Sequence, residues 1–356
     1  MPKIIFAGGG TAGHVMPNLA LIAELRRKYD CIYVGGDGME KDLCKSRGIP
    51  FYRIDTVKLR RDAVLKNLSV PFKLSACVRS AKKVVDEIKP DLIFSKGGYA
   101  ALPVVLAAKK TPLLCHESDL SAGIVTKIAA RKALKTLCAF ESTAENFKRG
   151  VYTGAPIRAE VRNTARSDGA RVSAKRKLGF DGNKPVLLII GGSSGAAAIN
   201  ACAASALPAL LNTFDVVHIT GKNKNGGEKR RGYLPIEFSD DIPTLYSAAD
   251  VAVTRGGANV LCELIALRIP ALCIPLEKAS RGDQIENAEY FKSRGAISVL
   301  KESSMSPDVL AARTLETYDR RNSTIVSQSR LAVDGTDKIC AVIDGVIRDA
   351  QCGKRR

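Results

Sequence analysis

The sequence has no tryptophan, only three histidines (His14, His116 and His218) and an aromatic content of 5%. With so few rings to stack on bases, a single-strand nucleic-acid platform is disfavoured. Three scattered histidines do not make a histidine-rich metal centre. The ten cysteines, at 31, 44, 77, 115, 138, 202, 262, 273, 340 and 352, contain no CxxC pair. That argues against a zinc site or a disulfide frame and reads as reduced cytosolic thiols, mostly small core residues. There is no run of about 18 uncharged apolar residues, so no membrane-spanning helix is expected. The opening MPKIIFAGGG enters a strand at once, so no export signal is expected either.

What is abundant is positive charge. The chain of 356 residues carries a net +19. Residues 1–160 hold 27 Lys and Arg against 15 Asp and Glu, and the remainder 28 against 21. Such an excess calls for an anionic partner: nucleic acid, anionic lipid or a phosphorylated substrate. The length suits two domains of ordinary size, and an apolar fraction of 46% is enough for two cores.

The densest signal lies in residues 254–289, read as glycine turn, helix, short buried strand, loop and helix. Val251–Val253 is a strand and Arg255-Gly256-Gly257 a turn of little bulk. Ala258 to Leu267 places Val260, Leu261, Leu264, Ile265 and Leu267 at helical spacing, with Glu263 alone on an uncharged turn. Pro270 stops that helix, Ala271–Ile274 is a second strand, and Arg281-Gly282-Asp283-Gln284 opens a helix carrying Asn287. A helix that opens on a glycine turn presents unpaired N–H groups and a positive dipole end, which suits a phosphate. Asn259, Glu263, Asp283, Gln284 and Asn287 offer donors and acceptors for sugar hydroxyls. The combination suggests a sugar-nucleotide pocket. A βαβ unit whose glycines serve only tight packing gives the same pattern.

The N-terminal half repeats the strand, loop and helix junction. After the strand Lys3–Ala7, Gly8, Gly10 and Gly13 satisfy GxGxxG ahead of a helix from about Pro17 to Lys28. A nicotinamide site is disfavoured, because the second strand, Cys31–Val34, ends in Gly35-Gly36 where a ribose-binding acid belongs, and Asp37 comes late. His14 falls in the first turn of the helix, where the dipole favours a neutral ring able to accept a proton; it can equally be a polar residue that caps the turn. Further junctions at 96–99 and 116–119 put three loops at the carboxyl edge of one doubly wound sheet. Residues 57–83 mix Val64, Leu65, Leu68, Val70, Phe72 and Leu74 with Lys58, Arg60, Arg61, Lys66 and Lys73. This reads either as a surface for anionic lipid or as an amphipathic helix with a solvated basic face. Residues 159–184 are polar and read as the connection, with a helix at Arg171–Lys177. The pattern then restarts with the strand Pro185–Ile190, the turn Gly191–Gly195, a helix near Ala196 and the strand Val216–Thr220. The expected domains are 1–159 and 160–336, with the last helix, 337–350, packing back on the first and the basic tail Gly353–Arg356 disordered.

In order, GGGTAGH, SKGGY, HESD, GAPIR, GGSSGA, TRGGANVLCE and SRGDQIENAE resemble the motif set of the MurG-type glycosyltransferases, family 28, over about residues 1 to 300. The resemblance implies an α/β GT-B fold, two Rossmann-like domains facing each other across a cleft. It implies inverting transfer of N-acetylglucosamine (GlcNAc) from UDP-GlcNAc to the muramoyl sugar of undecaprenyl-diphospho-MurNAc-pentapeptide (lipid I), giving lipid II for peptidoglycan. It further implies a peripheral protein on the cytoplasmic side of the cell membrane, with no cofactor and no bound metal, an anionic membrane surface and other cell-wall synthesis proteins as partners, and no nucleic acid.

Residue by residue, the resemblance implies that Thr11, Ala12, Gly13 and His14 face the donor diphosphate and the acceptor. Tyr99, His116 and Glu117 match positions facing the acceptor. Asp119 stands where the family has an asparagine on GlcNAc, and Arg158 matches the donor-site arginine. Ser193 and Ser194 lie in the second glycine loop, and Ser239 where a backbone group pairs with uracil. Arg255 precedes the phosphate-holding helix start, Ala258, Asn259, Val260, Leu261, Cys262 and Glu263, with Glu263 on the ribose hydroxyls. Gln284 matches a GlcNAc contact, between Asp283 and Asn287. Departures from the family pattern are Asp119, Ser194, Ala155 and Gly256.

The implied chemistry follows from charge. Negative charge grows on UDP as the C1–O bond breaks, and the N–H groups at 194–197 and 257–260 with Arg158 replace a metal. His14, Asp119 and Glu117 are the candidate general bases, with His14 preferred. Rival readings are a related UDP-sugar transferase acting on another lipid, a UDP-GlcNAc epimerase, and a non-catalytic nucleotide-sugar sensor or RNA-binding module.

Overall fold

The computed structural model describes residues 1–57, 70–192, 195–221, 224, 227–278 and 282–354. The chain divides into two compact units, Met1–Ala159 together with Asp334–Arg356, and Glu160–Val333.

The first unit holds a parallel sheet of seven strands: β1 Lys3–Ala7, β2 Asp30–Gly35, β3 Phe51–Arg53, β4 Leu92–Ser95, β5 Leu113–Glu117, β6 Lys135–Cys138 and β7 Gly150–Tyr152. Their order is β3-β2-β1-β4-β5-β6-β7. The order reverses between β1 and β4, so the loops leaving those strands diverge and open a crevice at their carboxyl ends. Strand alternation splits the core into two layers. Ile4 and Phe6 pack with Leu21, Ile22 and Leu25 of helix Ala12–Leu25 and with Ile339, Ile343 and Ile347 of helix Thr336–Lys354. Ile5 and Ala7 face Ala81, Val85 and Ile88 of helix Val70–Ile88 and Val104 and Val105 of helix Leu102–Ala107. Helices on both faces explain why β1, β4 and β5 read as unbroken apolar runs.

The final helix belongs to this unit. Gly335 N donates to Ala155 O at 2.8 Å and Ile157 N to Thr336 Oγ1 at 2.9 Å. Farther along, Tyr29 and Lys28 donate to the Asp344 carboxylate at 2.8 and 2.9 Å. The helix runs to Lys354, past the expected end at residue 350, so Gly353 and Lys354 of the supposed tail are helical.

The second unit has six parallel strands: β8 Val186–Ile190, β9 Asp215–Ile219, β10 Tyr233–Ile236, β11 Val251–Thr254, β12 Ala271–Cys273 and β13 Ser298–Val299. Their order, β10-β9-β8-β11-β12-β13, reverses between β8 and β11. Segment 159–184 is more than a connection: it holds helices Ala159–Arg162 and Asp168–Lys177, the latter capped by Ser167 Oγ, which accepts from Ala170 N at 3.4 Å. In the region 57–83 the described part is helix Val70–Ile88, whose Cys77, Ala81, Val85 and Ile88 are buried at helical spacing. Phe72 is 83% exposed beside an exposed Lys73. Lys58, Arg60, Arg61, Val64, Leu65, Lys66 and Leu68 lie outside the described residues.

Fully buried, Ile343 ties the last helix to β1. Ile343→Ala should cost about 2–5 kcal/mol, read as a lower urea midpoint for the first unit. Val326→Ala, at a position 52% exposed in the second unit, should cost that unit about 0.5 kcal/mol or less. Equal shifts for the two variants would contradict this packing.

Candidate active site

In the first unit the site is built from loops after β1, β4 and β5. Thr11 takes the N-cap position of helix Ala12–Leu25 in an extended conformation, yet its side chain makes no cap bond. Its hydroxyl instead pairs with His14 Nδ1 at 2.8 Å. The imidazole is half-buried and lies against the β4 loop: a Cβ added to Gly98 would sit 3.1 Å from His14 Cγ and 2.5 Å from Gly9 O. Gly98 also has φ +76°, so any side chain there both clashes and strains the backbone. Tyr99, next in the chain, lays its ring against Gly10.

The β5 loop is held by its own carboxylate. Glu117 accepts from Ser118 N at 3.0 Å, Asp119 N at 3.2 Å and Gly123 N at 2.9 Å. Three main-chain donors make it a clamp that shapes loop 118–123 and leave it poorly placed to act as a mobile base. His116 is 0% exposed, with Nε2 bonded to Gly154 O at 3.0 Å. Burial, reinforced by the Lys96 ammonium, holds it well below the ordinary imidazole pKa, so it is neutral. As placed, it supports the loop and does not face solvent. Asp119 and Arg158 are half-buried.

In the second unit, helix Ala258–Ala266 opens on Gly257 with no side-chain cap and no acidic residue in its first turn. Ala258, Leu261 and Cys262 point into the core, so at those positions only the main chain can meet a ligand. The turn before the helix is fixed from the next one. Gln284 Oε1 accepts from Gly256 N at 3.2 Å and Leu276 N at 3.0 Å, and buried Asn287 donates to Gly256 O at 3.2 Å. A Cβ on Gly256 would fall 2.4 Å from Gln284 O, so glycine is required for that approach. Glu263 is half-buried and accepts from Tyr246 Oη at 2.8 Å. Arg255 turns away from the turn, onto Ile274 O at 3.2 Å and the Glu302 carboxylate. Its guanidinium locks the end of β12. Ser239 Oγ accepts from Asp241 N at 3.1 Å, and Asp283 starts helix Asp283–Lys292. Ser193 and Ser194 lie outside the described residues.

Comparison with known proteins decides the family. Residues 4–138 match the model of the glycosyltransferase family 28 N-terminal domain, and residues 186–337 that of the family 28 C-terminal domain. The chain belongs to glycosyltransferase family 28. A Lachnospira eligens protein named UDP-N-acetylglucosamine--N-acetylmuramyl-(pentapeptide) pyrophosphoryl-undecaprenol N-acetylglucosamine transferase is 42% identical over 96% of this chain and 99% of its own. A protein of the same name from Lachnoclostridium phytofermentans is 41% identical over 97% and 99%. The crystal structure of Acinetobacter baumannii MurG superposes with a TM-score of 0.74 at 27% identity, covering 96% of this chain and 99% of that one. The fold is therefore GT-B, with a parallel α/β sheet in each unit.

Two residues that sequence reasoning passed over shape this family 28 site. Glu40, 0% exposed, accepts from Gly36 N at 3.2 Å and Gly10 N at 3.5 Å. Cβ atoms on Gly9 or Gly38 would run into it. The glycines of both loops thus make room for a buried carboxylate. Its sequence signal was faint, one acid at the start of the short helix Met39–Ser46. The second residue is Tyr246, on the short helix Ile242–Ala248.

His218 illustrates a buried histidine held neutral. Nδ1 pairs with Tyr233 Oη at 3.0 Å and Nε2 with Asn200 Oδ1 at 3.1 Å, and burial lowers its pKa to about 4. Unfolded, the same side chain protonates near about pH 6.5. Between those values the unfolded chain binds the extra proton, so stability falls as pH drops through that window, by roughly 3 kcal/mol for this residue. His116 acts in the same direction. Thermal unfolding should shift to lower temperature from about pH 7 to about pH 5, and His218→Gln should flatten that dependence in part. An unaltered slope in the variant would contradict burial as the cause.

Proposed function

We propose that this protein transfers GlcNAc from UDP-GlcNAc to the muramoyl sugar of lipid I, inverting the anomeric carbon and forming lipid II. The observation that carries the reading is the 42% identity, over 96% of the chain, to a protein named for that transfer. The local geometry supports it. In the second unit the donor diphosphate lies at the N–H groups opening helix Ala258–Ala266, whose first turn carries no acidic residue. Glu263 takes the ribose hydroxyls. Gln284 gives its oxygen to the Gly256 turn, so its amide nitrogen is the group left to meet the sugar. As the C1–O bond breaks, the same N–H groups stabilise the negative charge on UDP.

The acceptor hydroxyl loses a proton as it attacks C1 from the opposite face. His14 is the base in this proposal. Thr11 holds its Nδ1 at 2.8 Å, which fixes the ring. Glu117 keeps the acceptor-side loop in shape, and Asp119 on that loop is the remaining carboxylate. Radiolabelled UDP-GlcNAc and a short-chain lipid I analogue should yield a labelled disaccharide-lipid. His14→Ala should lower kcat by about 10²–10⁴ while donor affinity stays unchanged. Free GlcNAc or ManNAc as the sole product would overturn the assigned reaction, and near-full turnover by the variant would remove His14 from its role.

The same proposal places the protein at the cytoplasmic membrane surface. Support comes from the positive charge concentrated in residues 1–160 and from Phe72, 83% exposed beside Lys73. Among the described residues no helix is long and apolar enough to cross a membrane. The protein should sediment with vesicles containing anionic lipid, and Phe72→Glu should weaken that binding. Equal sedimentation of both proteins would remove Phe72 from the contact.

A further inference from the structure

We infer that Tyr246 is a positioning residue for nucleoside recognition, fixing the carboxylate of Glu263 for the ribose of the donor. The inference rests on the reading of Glu263 as the ribose ligand. A carboxylate recognises a pair of neighbouring hydroxyls by accepting one hydrogen bond at each oxygen or two at one edge, which requires the plane of the group to be set beforehand. Glu263 stands on a helix whose neighbours Leu261, Cys262, Leu264 and Ile265 are all buried. Those apolar neighbours do not orient a glutamate side chain. Tyr246 does: its hydroxyl donates to Glu263 Oε2 at 2.8 Å.

Tyr246 is itself held from two directions. Its ring is 1% exposed, so the phenol reaches Glu263 from inside the protein. Its main chain lies at the end of helix Ile242–Ala248, started by Asp241, which accepts from Thr244 N at 3.2 Å. Arg166 closes the other end, donating to Tyr246 O and to Ala249 O at 2.9 Å, while Ser247 Oγ donates to Ala165 O at 2.7 Å. Arg166 is buried enough that its pKa falls to about 10, which marks a guanidinium committed to main-chain carbonyls. Segment 165–166 thereby anchors the helix, the helix presents Tyr246, and Tyr246 orients Glu263.

The test is a calorimetric titration of UDP and of 2′,3′-dideoxy-UDP into the wild-type protein, Tyr246→Phe, Glu263→Gln and the double variant. Wild type should prefer UDP. Tyr246→Phe should lose about tenfold in affinity for UDP, the order expected for a hydrogen bond to a charged group, and nothing for the dideoxy ligand. The double variant should bind UDP no more weakly than Glu263→Gln alone. A Tyr246→Phe protein that weakens both ligands alike, or neither, overturns the positioning role. A wild type that does not distinguish the ligands overturns the ribose assignment of Glu263 itself. The ratio of the two affinities is read within one protein, so it survives a variant that folds incompletely.

Discussion

Main-chain N–H groups can hold a diphosphate only where no side chain of the protein has already taken them. In the second unit helix Ala258–Ala266 opens on Gly257 with no cap from its N-cap side chain and no acid in its own first turn. The opening is kept in place by the next turn of chain, through Gln284 and Asn287 on Gly256. The backbone at Gly256 passes so close to Gln284 that a Cβ has no room. One glycine therefore couples the phosphate-facing turn to the segment that carries the proposed sugar contacts.

The first unit carries the same sequence pattern and uses it differently. Its GxGxxG loop turns the Gly10 N–H toward the buried carboxylate of Glu40, and Thr11 gives its hydroxyl to His14 in place of the helix end. A carboxylate behind the loop disfavours a second nucleotide phosphate there. Two Rossmann units in one chain thus differ in the charge their loops can receive, which fits one nucleotide-sugar donor and a separate group for the acceptor's proton.

Much of this was legible in the sequence because it is local. Apolar runs ending in glycine and followed by helical spacing gave β1, β4, β8 and β11 and their loops, and the ordered motifs gave the family. Residue spacing does not show which partner a polar side chain takes. Arg255 looked like a ligand arginine, but Glu302 claims it. His116 and Glu117 looked like site residues, yet one is sealed under Gly154 and the other accepts three main-chain donors of its own loop. Glu40 drew no notice in the sequence, and the glycines around it show the space it fills. Strands β3, β10 and β13, of 3, 4 and 2 residues, are too short to show a period and exist only because a neighbouring strand pairs with them.

The claim on which the rest depends is the position of the donor diphosphate. A crystal of the protein grown with 5-bromo-UDP locates the base by its anomalous signal and the phosphates by their density. The account predicts phosphate oxygens within about 3 Å of the N–H groups of residues 258–260 and the ribose beside Glu263. Phosphates found instead at the Gly8–His14 loop of the first unit, with helix Ala258–Ala266 untouched, would contradict it.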